Sequence, residues 1–182
     1  MKTNLEILAQ QGVVSRSMAE SVSMRIKDLR KKAIQESFQD FGSSGHRLEY
    51  VATVRGVDYV DDAKAINLNS TWYALESMKR PVIWIAGGQG NETDWAAMKN
   101  LVSRKVRHLV CLGKDTRALQ EAYGDLFPDL VEVGSMMAAV QAAYLMANEG
   151  DIVLLSPACS SFDLFESYQD KGLQFKKAVC EL

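Results

Sequence analysis

Along the chain the order of apolar and polar residues changes period several times. Leu48, Tyr50 and Ala52 alternate with Glu49, Val51 and Thr53, and Val57, Tyr59 and Asp61 alternate with Asp58 and Val60. Period-two alternation is a strand signal, and Arg55-Gly56 between the two runs predicts a hairpin. Residues 68–78 then take helical spacing with Trp72, Leu75 and Met78 on one face, and Lys79-Arg80-Pro81 ends that helix. Three short, mostly apolar runs follow, at 82–86, 108–112 and 151–156, with a lesser one at 130–133. Between them lie helical patterns. Asp94 is placed to cap a helix carrying Trp95, Met98, Leu101 and Val102. Residues 116–123 form a short helix, and Ser135 caps a helix over 136–148 that Gly150 stops. From Phe162 onward the pattern is helical again, with Gly172 as an interruption.

Apolar strands that alternate with helices imply a mostly parallel sheet covered on both faces, an α/β three-layer domain. In such a sheet the ligand crevice lies beyond the carboxyl ends of the strands. The loops expected there are AGGQGN at 86–91, LGKDT at 112–116 and SPACSS at 156–161. Upstream, Met18, Val22, Ile26, Leu29, Ala33, Phe38 and Phe41 recur at mostly helical spacing among charged residues. Gly42-Ser43-Ser44-Gly45 then forms a flexible joint. The expected organisation is a helical segment over 1–45 and an α/β domain over 46–182, opening with the hairpin.

Composition narrows the function classes. The chain has 182 residues, 47% hydrophobic and 24% charged, with a net charge of −2. That profile leaves no electrostatic footprint for nucleic acid or an anionic membrane. No apolar run approaches the ~20 residues of a membrane span, and the first residues lack the pattern of a signal peptide. A cytoplasmic monomer acting on small molecules is the expectation. Cys111, Cys159 and Cys180 have no metal-ligand spacing and read as reduced thiols.

The candidate chemistry is polar and dispersed. Gly87-Gly88-Gln89-Gly90 would let a backbone approach an anion, but a tight turn explains it better, and it matches neither the dinucleotide nor the P-loop spacing. Asp61, Asp62 and Lys64 suit a sugar hydroxyl and an anion, or a solvated loop. His46-Arg47 offers a planar fork of donors to a phosphate, or is a surface pair before an edge strand. Ser160 and Ser161 stand at an expected helix start, where hydroxyls and free N–H groups suit a carboxylate or simply cap the helix. No serine or cysteine has a histidine placed to serve as its base, so no nucleophile and no metal centre is assigned.

Three stretches, HRLEYVATVRGVDYVDDAKAINLNSTWYALE, VIWIAGG and LLSPACSSFDLFESYQDKGLQF, together resemble the carboxy-terminal domain of the Mur ligases, and most of all the D-glutamate-adding branch. The resemblance covers about residues 46–182, and 17–45 resemble the helical tail of that family's central ATP-binding domain. It implies a Rossmann-like fold and part of an ATP-dependent amide ligase of peptidoglycan synthesis, one that joins D-glutamate to UDP-N-acetylmuramoyl-L-alanine. A domain of this kind closes over its neighbour, contributing positioning and excluding water. By resemblance His46 and Arg47 lie near the nucleotide phosphates. Asp62 contacts the ribose, and Lys64 sits where nucleotide and amino-acid sites meet. Ser161, Phe162 and Tyr168 line the D-glutamate pocket, with Ile66 and Asn91 at two further positions of it.

Departures from the family pattern temper that reading. The usual N-D-S-K-A-T-N motif is here Asp61-Asp62-Ala63-Lys64-Ala65-Ile66-Asn67, so Ile66 replaces a threonine. Asn91 stands for a lysine that pairs with a D-glutamate carboxylate, and a lost charge-assisted contact costs roughly 1.5–3 kcal/mol. Residues 12–15 replace a G-x-H-N motif. The sequence carries no UDP-binding domain, P-loop or carbamylated-lysine segment, so ATP and Mg²⁺ would need the family's central domain and this chain alone is expected not to turn over. The alternative is a stand-alone, degenerate ligand-binding or interaction module.

Overall fold

The computed structural model describes residues 45–87, 94–159 and 164–182. The helical segment expected upstream lies outside them, as do Asn91, Ser161 and Phe162. The elements in chain order are β1 (Glu49–Val54), β2 (Val57–Asp61), α1 (Leu68–Ser77), β3 (Val82–Ala86), a 3₁₀ turn (Trp95–Met98), α2 (Lys99–Lys105), β4 (Val106–Leu112), α3 (Arg117–Tyr123), β5 (Val131–Val133), α4 (Met136–Met146), β6 (Ile152–Leu155) and α5 (Tyr168–Cys180).

Among the described residues the strands form one sheet in the order β1-β2-β6-β3-β4-β5. β1 runs antiparallel to β2, and every other pair is parallel. The hairpin closes through Arg55 and Gly56, both at positive φ (51° and 75°), as a two-residue turn matched to strand twist requires. Strand alternation splits the core in two. Val82, Trp84, Ala86, Ile152 and Leu154 face α1, α2 and α3, while Ile83, Ile85, Val153, Leu155 and Tyr59 face α4 and α5. The expected α/β architecture is therefore observed, with a central sheet between two helical layers. The described helices include none long and apolar enough to cross a membrane.

Four local expectations are corrected. On α1 the buried face is Thr71, Ala74 and Leu75, and Trp72 turns outward at 38% exposure. The Asp94 side chain makes no cap; a 3₁₀ turn intervenes and α2 starts only at Lys99. α4 ends at Met146, and Gly150 (φ 89°) serves instead in the turn into β6, where its N–H reaches the Gly56 carbonyl at 2.9 Å. α5 begins at Tyr168, capped by Ser167, and runs unbroken through Gly172. A Cβ at Gly172 would fall 2.0 Å from His46 Nδ1 and 2.6 Å from Asp61 Oδ2, so the glycine permits close approach rather than interrupting the helix.

Candidate functional site

Because β2 and β6 are parallel with Asp61 beside Leu155, the loops that follow both strands leave the sheet at the same edge. That edge also receives the loops after β3 and β4, and the Gly87 N–H reaches the Pro157 carbonyl at 3.1 Å. The chain entering β1 folds back over it, with the Lys64 N–H on the His46 carbonyl (3.0 Å) and the Ala158 N–H on the Ala65 carbonyl (3.0 Å). Segments 46–48, 61–66 and 156–158 are thus stitched together.

Asp62 is the buried centre of this rim, at 3% exposure. Its Oδ1 accepts the Leu48 N–H (3.2 Å) and its Oδ2 accepts the Ser156 hydroxyl (2.7 Å). Ser156 Oγ in turn lies 2.9 Å from Thr71 Oγ1, and the Ser156 carbonyl accepts the Trp84 indole N–H (2.8 Å). Burial pushes the Asp62 carboxyl up to about 7, against the opposing pull of Ser156, the Leu48 amide and Arg47.

Asp61 points the other way, toward α5. Its Oδ1 accepts the Ala63 N–H (2.9 Å), and its Oδ2 lies 2.6 Å from His46 Nδ1. Lys176 Nζ stands 2.8 Å from Glu49 Oε1 and 3.9 Å from Asp61 Oδ2. The His46 N–H donates to Glu49 Oε2 (2.8 Å), and that bond, with Lys176, holds the Glu49 carboxyl below its usual range. His46, Glu49 and Asp61 place donor atoms within 4.8 Å of one another, but the Lys176 ammonium already supplies the positive charge there. The cluster is an ion-pair network.

The backbone at this rim is strained. His46 (φ 69°), Leu48 (φ 45°) and Ala158 (φ 65°) occupy the left-handed region that side chains avoid. Each costs about 1–3 kcal/mol and persists only where its surroundings hold it; here the Glu49 and Asp62 carboxylates fix the amides of His46 and Leu48.

Of the residues singled out from the sequence, His46, Arg47, Asp62 and Lys64 meet at this rim. Tyr168 joins them as the first residue of α5, its ring edge-on to the His46 imidazole at 6.3 Å. Ile66 lies at the lip with 51% of its surface exposed. Sequence reasoning did not single out Ser156, Thr71, Glu49 or Lys176 as site residues. Only Ser156 carried a signal, as the first residue of the SPACSS stretch. At the opposite edge a groove of about 420 Å³ is lined by Lys79, Arg80, Arg104, Lys105 and Arg107. Its cations are largely engaged: Arg80 by Asp58, Arg107 by Asp151, and Lys105 by the Glu76 and Met78 carbonyls.

Residues 46–159 match the family described as Mur ligase, glutamate ligase domain. The chain is 48% identical over 179 residues to the UDP-N-acetylmuramoylalanine–D-glutamate ligase of Porphyromonas gingivalis, covering 97% of this chain and 40% of that protein. It is 45% identical over 177 residues to the ligase of the same description from Christiangramia forsetii, covering 96% and 40%. The chain thus spans about 40% of the length of these relatives. Among solved structures, a murein peptide ligase from Psychrobacter arcticus superposes with a TM-score of 0.55 at 11% identity, over 78% of this chain and 31% of that one. Folylpolyglutamate synthase of Mycobacterium tuberculosis, complexed with ADP, superposes with a TM-score of 0.52 at 16% identity, over 64% and 30%.

Proposed function

Since the chain belongs to the Mur ligase, glutamate ligase domain family, we propose that it is the lid portion of an ATP-dependent ligase that joins D-glutamate to UDP-N-acetylmuramoyl-L-alanine in peptidoglycan synthesis. In that reaction ATP phosphorylates the acceptor carboxylate, and the amine of D-glutamate then displaces phosphate. The share of this chain is to bind and position. Arg47 offers a planar fork of donors and Lys64 a point charge to phosphate oxygens. Tyr168 serves the amino-acid side, the role that the family resemblance also gives to Ile66 and to Asn91, Ser161 and Phe162, which lie outside the described residues.

The observation that carries the proposal is the convergence of three sequence-distant segments on one edge of the sheet, held by the Asp62–Ser156–Thr71 chain and by the Lys64–His46 and Ala158–Ala65 backbone bonds. The rim suits an anionic nucleotide, because Arg47, Lys64 and the His46 imidazole gather there. It does not suit Mg²⁺, because the carboxylates of Glu49, Asp61 and Asp62 are each engaged by protein donors. The metal therefore falls to the rest of the enzyme. The sequence has no P-loop, so this chain by itself does not turn over.

Titration calorimetry with ADP tests the reading. Binding is expected, and Arg47→Ala weakens it by about tenfold or more, the value of a charged hydrogen bond at roughly 1.5–3 kcal/mol. Binding unchanged by Arg47→Ala and Lys64→Ala together would refute it. Phosphate release is expected only when the chain is mixed with the family's other domains and both substrates, and release by the chain alone would contradict the lid assignment.

A further inference from the structure

At the edge of the sheet opposite the rim, the chain entering β3 and the chain entering β4 run side by side, since Val82 pairs with Val106. Both arrive with basic residues: Lys79 and Arg80 before β3, and Arg104, Lys105 and Arg107 around the start of β4. All five line the groove of about 420 Å³, and among the described residues none of its lining is acidic. The chain as a whole carries a net charge of −2, so this concentration runs against the overall balance. Part of it is structural. Lys105 closes the end of α1 by donating to the Glu76 and Met78 carbonyls. Arg107 holds the buried Asp151 through Nη1, 2.7 Å from both carboxylate oxygens.

These anchors leave donors over. Arg107 uses Nη1 alone and Arg80 meets Asp58 through Nη2 alone. Arg104 donates Nε to the Asn100 carbonyl (3.2 Å), and its Nη2 stands 4.0 Å from Glu76. An arginine carries five N–H donors. Among the described residues each of these three guanidiniums therefore keeps N–H groups without a protein acceptor, and all three side chains are open to solvent. Lys79 is exposed as well. Set against Asp58, Glu76 and Asp151, the five bases leave an excess of two positive charges. A guanidinium fixed along one edge has already lost part of its freedom, so the rest of its fork is preorganised.

We propose that this groove is a binding site for the phosphate group of a small phosphorylated molecule. Arginine forks match the paired oxygens of a phosphate. A phosphate dianion balances the excess of two charges, whereas a single carboxylate would leave half of it. The volume falls in the ~300–1,000 Å³ range of small-molecule sites, which leaves room for an organic part beside the phosphate. Nothing in this assignment rests on the nucleotide reading of the rim, which lies at the other end of the strands.

The test is ¹H–¹⁵N correlation spectroscopy of the whole chain titrated with ribose 5-phosphate. Inorganic phosphate forms a parallel arm, and sodium chloride at matched ionic strength is the blank. The expected shifts gather at amides 79–80 and 104–107, saturate, and exceed the blank. Lys79→Gln with Arg104→Gln should weaken binding about tenfold or more, as loss of charged hydrogen bonds does, at an unchanged thermal midpoint. If that double variant melts lower, Lys79→Gln alone carries the comparison, with a several-fold loss expected. Arg47→Ala should leave the groove shifts unaltered. Shifts confined to 46–48 and 62–66 would assign the phosphate to the rim and overturn the groove. Shifts that match the salt blank, or affinity unchanged by the groove substitutions, also overturn it. So does a groove that takes inorganic phosphate and excludes the ester.

Discussion

Asp62→Asn gives the sharpest perturbation, because its sign runs against the usual carboxylate. Where partners shift a carboxylate at the surface they lower it, as at Asp58, Asp115 and Asp125. Asp62 is raised instead, from an ordinary 3.8 to about 7, chiefly by burial. A raised acid holds its proton in the fold after the unfolded chain has released it. Its contribution is therefore present below about pH 4 and is lost as pH rises through about 7. At ~1.4 kcal/mol for each tenfold change in proton affinity, the full loss is about 4 kcal/mol. Asparagine is nearly isosteric: its oxygen can keep the Leu48 N–H and its NH₂ can donate to Ser156 Oγ. Urea unfolding followed by circular dichroism from pH 4 to 8 is the assay. The unsubstituted chain should lose stability relative to Asp62→Asn as pH rises, with a difference of up to about 4 kcal/mol at pH 8. All other titrating groups are common to both proteins, so the difference isolates this carboxyl. Parallel pH curves, or a variant less stable at pH 8, would refute the reasoning.

Gly172→Ala forces a methyl onto His46 and Asp61; it should destabilise the fold by about 1–3 kcal/mol, and thermal unfolding at unchanged midpoint would contradict the close approach. Trp84→Phe leaves the buried Ser156 carbonyl without its indole donor; a loss of about 1–3 kcal/mol is expected in chemical denaturation. Ile66→Thr restores a hydroxyl at the exposed lip; D-glutamate affinity should rise several-fold by calorimetry, in line with ~1 kcal/mol for a neutral hydrogen bond.

The scaffold was legible from the residues because periodicity reports burial along one element at a time. The hairpin turn at Arg55-Gly56, the parallel apolar strands and the capping serine of α4 all follow from local pattern. The start of α5 was misplaced because Phe165 is buried in loop backbone, and an apolar side chain before a helix looks like one inside it. Gly172 is ambiguous for a related reason: a glycine that breaks a helix and one that admits a neighbour are the same letter. The polar chain through Asp62, Ser156 and Thr71 joins residues 94 and 85 positions apart, and no pattern within a window could place them together. What the resemblance contributed was the grouping of His46, Arg47, Asp62 and Lys64, which the strand register then explains.

The Trp84 indole, hydrogen-bonded to the carbonyl that opens the 156–158 loop and in tilted contact with the rings of Trp95 and Tyr123, makes the molecule self-reporting. Any occupant of the rim that shifts Ser156 alters the dipole facing that chromophore. Its emission can then be followed in stopped flow without a dye, turning occupancy of the cleft into a colour change in the ultraviolet.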